Sequence, residues 1–147
     1  MDFQSVLRNS QLKATPKRLA MLDILADKRT YFSPEDIWKK LKERFTSVGL
    51  PTVYRNLEFL CKESVIMKVV HPDRKLYYYY CHNNEHHHHF ICTSCKRVED
   101  LVFCGADEIE HEVENRLQGS VVSHFVQVFG FCKACADHTR PPKRKDP

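Results

Sequence analysis

Gly49-Leu50-Pro51-Thr52-Val53-Tyr54-Arg55-Asn56-Leu57-Glu58-Phe59-Leu60-Cys61, followed by Val65-Ile66-Met67-Lys68-Val69-Val70, His71-Pro72-Asp73-Arg74 and Leu76-Tyr77-Tyr78-Tyr79-Tyr80, decides the fold of the first half of this chain. The first stretch reads as a helix opened near Gly49-Leu50-Pro51. Val53, Leu57, Leu60 and Cys61 recur at i, i+4, i+7 and i+8, which places them on one inward face and leaves Thr52, Arg55, Asn56 and Phe59 on others. The second reads as two β runs around a turn, a hairpin. Upstream, Thr15-Pro16 and Ser33-Pro34 are each a capping residue followed by proline at the first helical position, so helices start there. Leu19, Leu22 and Leu25/Ala26 give the first of these an apolar face, and Ile37, Trp38, Leu41 and Phe45 give the second one. Three helices followed by a two-stranded hairpin make a winged helix-turn-helix, whose third helix is built to enter a major groove while the wing lies along the backbone.

Downstream the texture changes. A strand runs through Phe90-Ile91-Cys92, a knuckle follows at Thr93-Ser94, and a second strand lies around 98–103. A helix over about 106–118 carries Ile109, Val113 and Leu117 on one stripe. Val122, His124, Val126 and Val128 alternate along an expected strand over 121–129. The fold class is therefore α+β: a winged-helix domain over 1–82 and an α/β domain with a small antiparallel sheet over 83–137. The tail 138–147, containing Pro-Pro-Lys-Arg-Lys, has no apolar residue to bury and is expected to be disordered.

A chain of 147 residues with 42% hydrophobic content supports one ordinary domain or two small ones and excludes a large enzyme. The net charge of +4 conceals an asymmetry. Residues 1–80 hold 15 Lys/Arg and 9 Asp/Glu, a net of +6, and the remainder holds 8 and 10, a net of −2. No apolar run approaches the roughly 18 to 20 residues of a membrane span, and Met1-Asp2-Phe3-Gln4 lacks signal-peptide character, so a cytoplasmic protein without a membrane partner is expected.

The seven Cys and nine His are far in excess of ordinary composition, and all nine His lie at or beyond position 71. Four of the cysteines form two C-x-x-C pairs, Cys92/Cys95 and Cys132/Cys135. Each such knuckle presents two sulfurs to one ion, and two knuckles close a tetrahedral zinc shell, leaving no position for a substrate. Two separate redox dithiols are the alternative, but such motifs open a helix after a strand. Within Glu85-His86-His87-His88-His89, strand geometry sends His87 and His89 to one face and His86 and His88 to the other, so one strand can serve two metal sites. The bland reading is a solvated polar tract. Cys81, six residues before His87, suits the first site; His124 and a carboxylate from Asp107 or Glu108 suit the second. His82, His111 and His138 read as surface residues and Cys61 as core. Cys104 reads as either a buried small hydrophobe or a spare thiol. A zinc hydrolase lacks both an open zinc position and a motif of the H-E-x-x-H type, and a zinc-storage module does not explain the basic winged half.

Lys13-Ala14-Thr15-Pro16-Lys17-Arg18-Leu19, Ser33-Pro34-Glu35-Asp36-Ile37, Pro51-Thr52-Val53-Tyr54-Arg55-Asn56-Leu57, His86 through Cys95 and Phe131-Cys132-Lys133-Ala134-Cys135 resemble, in order and spacing, the ferric uptake regulator superfamily. The resemblance covers about residues 5 to 137. It implies a homodimeric, metal-dependent repressor that binds palindromic operator DNA, with the second domain serving dimerisation and with no small-molecule substrate. It also implies structural zinc at Cys92, Cys95, Cys132 and Cys135, a second site at His86, His88, Asp107 and His124, and a hinge sensing site at Cys81, His87 and His89. Zn2+ is the expected ion, with Fe2+ or Mn2+ as alternatives at the regulatory sites.

Cys81 falls where zinc uptake regulators place a cysteine. Tyr31 stands where iron and peroxide sensors place a histidine. The resemblance is therefore closest to the zinc branch, and an iron-responsive or peroxide-sensing regulator is the alternative. Two positions depart from the pattern. Met67 stands where zinc sensors offer Asp or His, which leaves the fourth hinge ligand open among His71, Asp100 and water, and Lys96 replaces a glycine that often follows the first knuckle. For DNA, Arg55 is the expected base-edge or phosphate contact and Tyr54 the contact to thymine methyls, with Thr52 and Asn56 secondary. Lys13, Thr15 and Arg18 are expected to position the DNA backbone.

Overall fold

The computed structural model describes residues 2–83 and 85–136. The chain divides into two compact units, Met1–Asn84 and Glu85–Pro147, two residues beyond the expected boundary. The basic tail and His138 lie outside the described residues.

The first unit contains α1 (Phe3–Asn9), α2 (Pro16–Ala26), α3 (Pro34–Lys42), α4 (Leu50–Lys62), β1 (Met67–Val70) and β2 (Leu76–Tyr79). The caps are those the sequence calls for. Thr15 Oγ1 accepts from the Arg18 amide, and Ser33 with Asp36 forms a reciprocal capping box, each ahead of a proline in the first turn. The core that these helices close holds Leu22 and Leu25 of α2, Ile37 and Leu41 of α3, and Val53, Leu57 and Leu60 of α4. Leu57 and Leu60 are fully buried, and each such side chain contributes roughly 1.5–3 kcal/mol. The helix α1 was not expected. Asp2 caps it by accepting from the amides of Gln4 and Ser5, and Leu7 anchors it in the core.

The strands β1 and β2 pair antiparallel from Met67↔Tyr79 to Val70↔Leu76, with Arg74 at φ 64° in the turn. Phe32 adds a bridge to Tyr78 through two backbone hydrogen bonds, of 2.8 and 2.9 Å. Buried Tyr78 thereby joins the wing to the helical core.

The second unit contains β3 (His88–Cys92), β4 (Val98–Leu101), α5 (Ala106–Leu117), β5 (Gln127–Gly130) and the short α6 (Lys133–Ala136). Its sheet has the order β4-β3-β5. The β3–β4 pair is antiparallel, and β5 joins the opposite edge of β3 in parallel. The strand expected over 121–129 is shorter at its start. The β3–β5 ladder begins at His89↔Gln127, so residues 121–126 have no partner strand in this sheet. Val122 accordingly stands 96% exposed. Helix α5 spans the expected residues but buries none of them, and its stripe residues Ile109 and Leu117 are exposed.

Candidate metal centres and nucleic-acid face

The parallel register of β3 on β5 ends at Cys92↔Gly130, and this pairing sets the two C-x-x-C knuckles side by side. Thr93 donates to the Gly130 carbonyl through both its amide (3.0 Å) and its hydroxyl (3.3 Å), pinning the first knuckle to β5. Gly130 leaves room for this packing, since a Cβ there would sit 3.0 Å from the Phe90 ring. Lys96 closes the knuckle at φ 64° and donates its amide to the Cys92 carbonyl.

The sulfurs of Cys92, Cys95, Cys132 and Cys135 all lie within 4.8 Å of one another, and Cys95 Sγ is 3.7 Å from Cys132 Sγ. A tetrahedron with Zn–S of about 2.3 Å has an S···S edge of about 3.8 Å, which the Cys95–Cys132 separation matches, so the quartet is gathered as a zinc shell requires. The electrostatics agree. Burial raises the Cys92 thiol, but the backbone amides of Cys95, Cys132 and Ser94 outweigh it and hold the group down at about 6. Cys95 is pushed the other way: the Arg97 amide lowers it, but burial and crowding by Cys92, Cys132 and Cys135 prevail. Four sulfurs at this spacing ionise together only when a cation shares their charge.

The structure brings His87 together with His89 and His86 together with His88. His87 Nε2 lies 2.8 Å from His89 Nε2, and Asp100 sits directly across the antiparallel ladder from His89. An Asp100 carboxylate oxygen is 3.9 Å from His87 Nε2. The His87 ring contacts the Glu85 carbonyl through Nδ1 at 2.6 Å; a proton there leaves Nε2 with the ligating lone pair. Burial, with His87 alongside, lowers the His89 imidazole to about 4 although Asp100 opposes it, which keeps the ring in its neutral form. Of the three candidates for a fourth ligand, Asp100 is therefore beside the histidine pair. His71 is otherwise engaged, with Nε2 3.1 Å from the Tyr31 hydroxyl and Nδ1 2.8 Å from an Asp73 carboxylate oxygen. Met67 lies on β1, and Cys81 follows β2, its thiol donating to the Asn83 carbonyl.

On the other face, the His86 ring packs edge-on to His88 and His124. Asp107 is not part of this cluster; its fourth member is Cys104, whose Sγ is 3.2 Å from His86 Nε2 and 3.4 Å from His124 Nε2. The four ligating atoms of His86, His88, Cys104 and His124 lie within 4.8 Å of one another. Asp107 and Glu108 instead occupy the first turn of α5, where negative charge complements the helix dipole and where Gly105 offers no side-chain cap.

Of the residues expected to meet DNA, Lys13, Thr15 and Arg55 are exposed. Arg18 is tied inward: its Nε donates to Asn56 Oδ1 at 3.0 Å and its Nη1 to the Lys13 carbonyl at 3.0 Å. Asn56 in turn donates to the Thr52 carbonyl at 2.8 Å. The Tyr54 hydroxyl donates to Glu35 at 2.8 Å, which joins α4 to α3.

Comparison with known proteins decides the family: the model of the ferric uptake regulator family matches residues 9–129. The chain belongs to the ferric uptake regulator family. Its members are metal-responsive transcription regulators rather than enzymes, and they bind operator DNA as dimers. The chain is 31% identical over 134 residues to a ferric uptake regulation protein of Staphylococcus epidermidis, covering 91% of this chain and 94% of that one. It is 27% identical over 136 residues to a peroxide-responsive repressor of Staphylococcus saprophyticus, covering 92% and 90%.

Among solved structures, the Campylobacter jejuni peroxide stress regulator is 30% identical with a TM-score of 0.60, covering 92% of this chain and all of that one. A zinc uptake regulator complexed with zinc and DNA shares the fold at a TM-score of 0.72 and 24% identity, covering 92% and 91%. No helix among the described residues is long and apolar enough to cross a membrane.

Within this member of the ferric uptake regulator family, sequence reasoning missed that Cys104 joins the His86, His88 and His124 cluster. No short-range motif flags it. Its partners are 18 and 20 residues away, and only the β3–β4 hairpin and the return to β5 bring them together.

Proposed function

We propose that this chain is a zinc-responsive repressor that binds palindromic operators as a homodimer when metal occupies a site made by Cys81, His87, His89 and Asp100. The observation that carries this reading is the His87/His89 pair with Asp100 across the ladder, two imidazoles and a carboxylate aimed at one point. Cys81 supplies a soft thiolate from six residues upstream, completing a mixed S/N/O set that suits zinc better than a harder ion. A cation held at Cys81 and at the histidine pair ties the end of the wing strand to the start of the second domain. That tie favours one arrangement of the two DNA-binding domains of a dimer, the one that matches two half-sites. A coupling of about 1–3 kcal/mol is enough for such a switch.

Zinc at Cys92, Cys95, Cys132 and Cys135 has a separate, structural part, closing the knuckles below β3 and β5. The uncovered stripe of α5, with Ile109 and Leu117, together with exposed Val122, Phe125 and Val128, is an apolar surface of the kind that dimerisation buries. On the DNA side, Arg55 and Lys13 make the direct contacts. Arg18 and Asn56 hold α4 in place, and Tyr54, braced by Glu35, presents its ring edge. The cytoplasm is the compartment in which such a regulator meets DNA.

The competing reading is an iron-responsive or peroxide-sensing regulator, favoured by the similarity to the ferric uptake regulation protein of Staphylococcus epidermidis and to the peroxide-responsive repressor. Cys81→Ser tests the first reading. It removes zinc-dependent operator binding while leaving a folded dimer, whereas an unchanged zinc response in an anisotropy titration rejects Cys81 as the sensing ligand.

A further inference from the structure

We propose that Cys104 is a metal ligand, making with His86, His88 and His124 a one-thiolate, three-imidazole site selective for zinc-like cations over manganese(II) and iron(II).

The donor set is complete within the second unit and owes nothing to Cys81. His86 and His88 come from one side of the His tract, Cys104 from the segment joining β4 to α5, and His124 from the segment entering β5. A tetrahedral zinc with Zn–S of about 2.3 Å and Zn–N of about 2.0–2.1 Å has S···N edges of about 3.6 Å. The two observed edges, 3.2 and 3.4 Å, are within a few tenths of an ångström of that.

A second, independent observation points to a ligand. His88 is 6% exposed, and its Nε2 is the one buried side-chain nitrogen or oxygen among the described residues with no hydrogen-bond partner. A buried ring nitrogen left unpaired is costly, and a coordinate bond to a cation removes that cost. His86 is exposed, which gives a path by which the ion enters and leaves.

Cys104 decides the metal class. Three neutral imidazoles accept most first-row divalent ions, but a thiolate in place of a carboxylate shifts the preference toward zinc and cobalt(II) and away from oxygen-seeking manganese(II). The site carries one negative charge against the ion's two. Its selectivity does not depend on which metal drives DNA binding, because its donors form a different cluster.

The test uses the full chain in a Cys81→Ser background with zinc retained in the four-cysteine shell, so that any new sulfur-to-metal charge transfer on adding cobalt(II) comes from another thiolate. The expected result is a near-ultraviolet sulfur-to-cobalt band that saturates at one equivalent in Cys81→Ser. The band is lost in Cys81→Ser/Cys104→Ser, with cobalt affinity at least about tenfold weaker. In Cys81→Ser/Cys104→Asp the band is lost but binding persists, with the zinc-to-manganese preference reduced. That variant keeps four donors and guards against a folding defect in the serine variant. An undiminished charge-transfer band in both Cys104 variants, or cobalt binding in Cys81→Ser with no sulfur band at all, overturns the assignment.

Discussion

Arg18 is expected to position the DNA backbone, yet its side chain is tied to Asn56 and to the Lys13 carbonyl, and the two roles are distinguishable by measurement. An arginine that positions the DNA backbone removes a phosphate contact when truncated; an arginine that braces the recognition helix destabilises the fold and leaves the electrostatics of binding largely intact. Arg18 Nε donates to Asn56 Oδ1 at 3.0 Å, Nη1 donates to the Lys13 carbonyl at 3.0 Å, and the guanidinium lies 5.9 Å from the Phe59 ring centre. A hydrogen bond from a charged donor contributes about 1.5–3 kcal/mol when well shielded, and solvent at this half-buried position reduces the Arg18–Asn56 bond to about 1 kcal/mol. Arg18→Ala should therefore cost about 1.5–2 kcal/mol, Asn56→Ala about 1 kcal/mol, and the double variant about 1 kcal/mol less than their sum. Urea unfolding of the zinc-loaded chain gives the three values. The second measurement is the salt dependence of operator binding, whose slope falls by about 0.9 for each phosphate that the protein no longer neutralises. Lys13→Ala and Arg55→Ala should lower the slope, and Arg18→Ala should not. A coupling below about 0.3 kcal/mol together with a lowered slope in Arg18→Ala refutes the bracing role and restores Arg18 as a DNA-binding residue.

Cys92→Ser opens the four-sulfur shell and should remove one tightly held zinc per chain, with loss of dimer on gel filtration; a stable, metal-responsive dimer contradicts the structural role. Lys96 pays for a left-handed backbone at φ 64°, so Lys96→Gly should raise thermal stability by up to about 1 kcal/mol, and a lowered melting temperature shows that the side chain does something the turn does not reveal. Burial pushes the Tyr78 phenol up to about 12 from 10.0, with the Cys61, Glu58 and Tyr54 charges adding to it. The unfolded chain then gives up this proton first, so stability is intact below pH 10 and falls as pH rises from about 10 toward 12. Tyr78→Phe should flatten that fall, and an unchanged alkaline unfolding profile argues against burial as its cause.

The winged half was readable because its signals are local. Thr15-Pro16 and Ser33-Pro34 place helix starts within one residue, and the 3.6-residue period of Val53, Leu57 and Leu60 marks the buried face of α4. The run of four tyrosines after the His71–Arg74 turn marks the second wing strand. Helix α1 escaped notice although Asp2 is a good cap, because a seven-residue helix offers less than two turns of periodicity. In the second half, the two C-x-x-C pairs and the alternating histidines are equally local, and the structure brings each set together. What the sequence concealed depends on pairing at long range. The register His89↔Asp100 raises Asp100 above His71 as a donor, and the segment after β4 delivers Cys104 where a carboxylate from α5 was expected. The truncated start of β5 has the same origin, since β3 begins at His88 and in this register supplies no partner for residues before Val126.

Arg18, Asn56, Tyr54 and Glu35 carry a related lesson about polar residues. On a helical wheel they are simply surface positions on α2, α4 and α3. In the fold they form two ties, Arg18–Asn56 and Tyr54–Glu35, that fix α4 against its neighbours. Arg55, exposed and outside both ties, is the side chain of α4 most available to a groove.

Zinc as the ion that switches on DNA binding is the central claim. The measurement is fluorescence anisotropy of the full chain, with its four-cysteine shell zinc-filled, on duplexes selected from a random pool, titrated separately with buffered zinc, iron(II) under anaerobic conditions and manganese(II). The prediction is a palindromic duplex bound as a dimer at low free zinc, with iron(II) and manganese(II) ineffective at the same free concentrations and the zinc response lost in Cys81→Ser. Binding switched on by iron(II) or manganese(II) while zinc leaves it unchanged contradicts a zinc-responsive regulator.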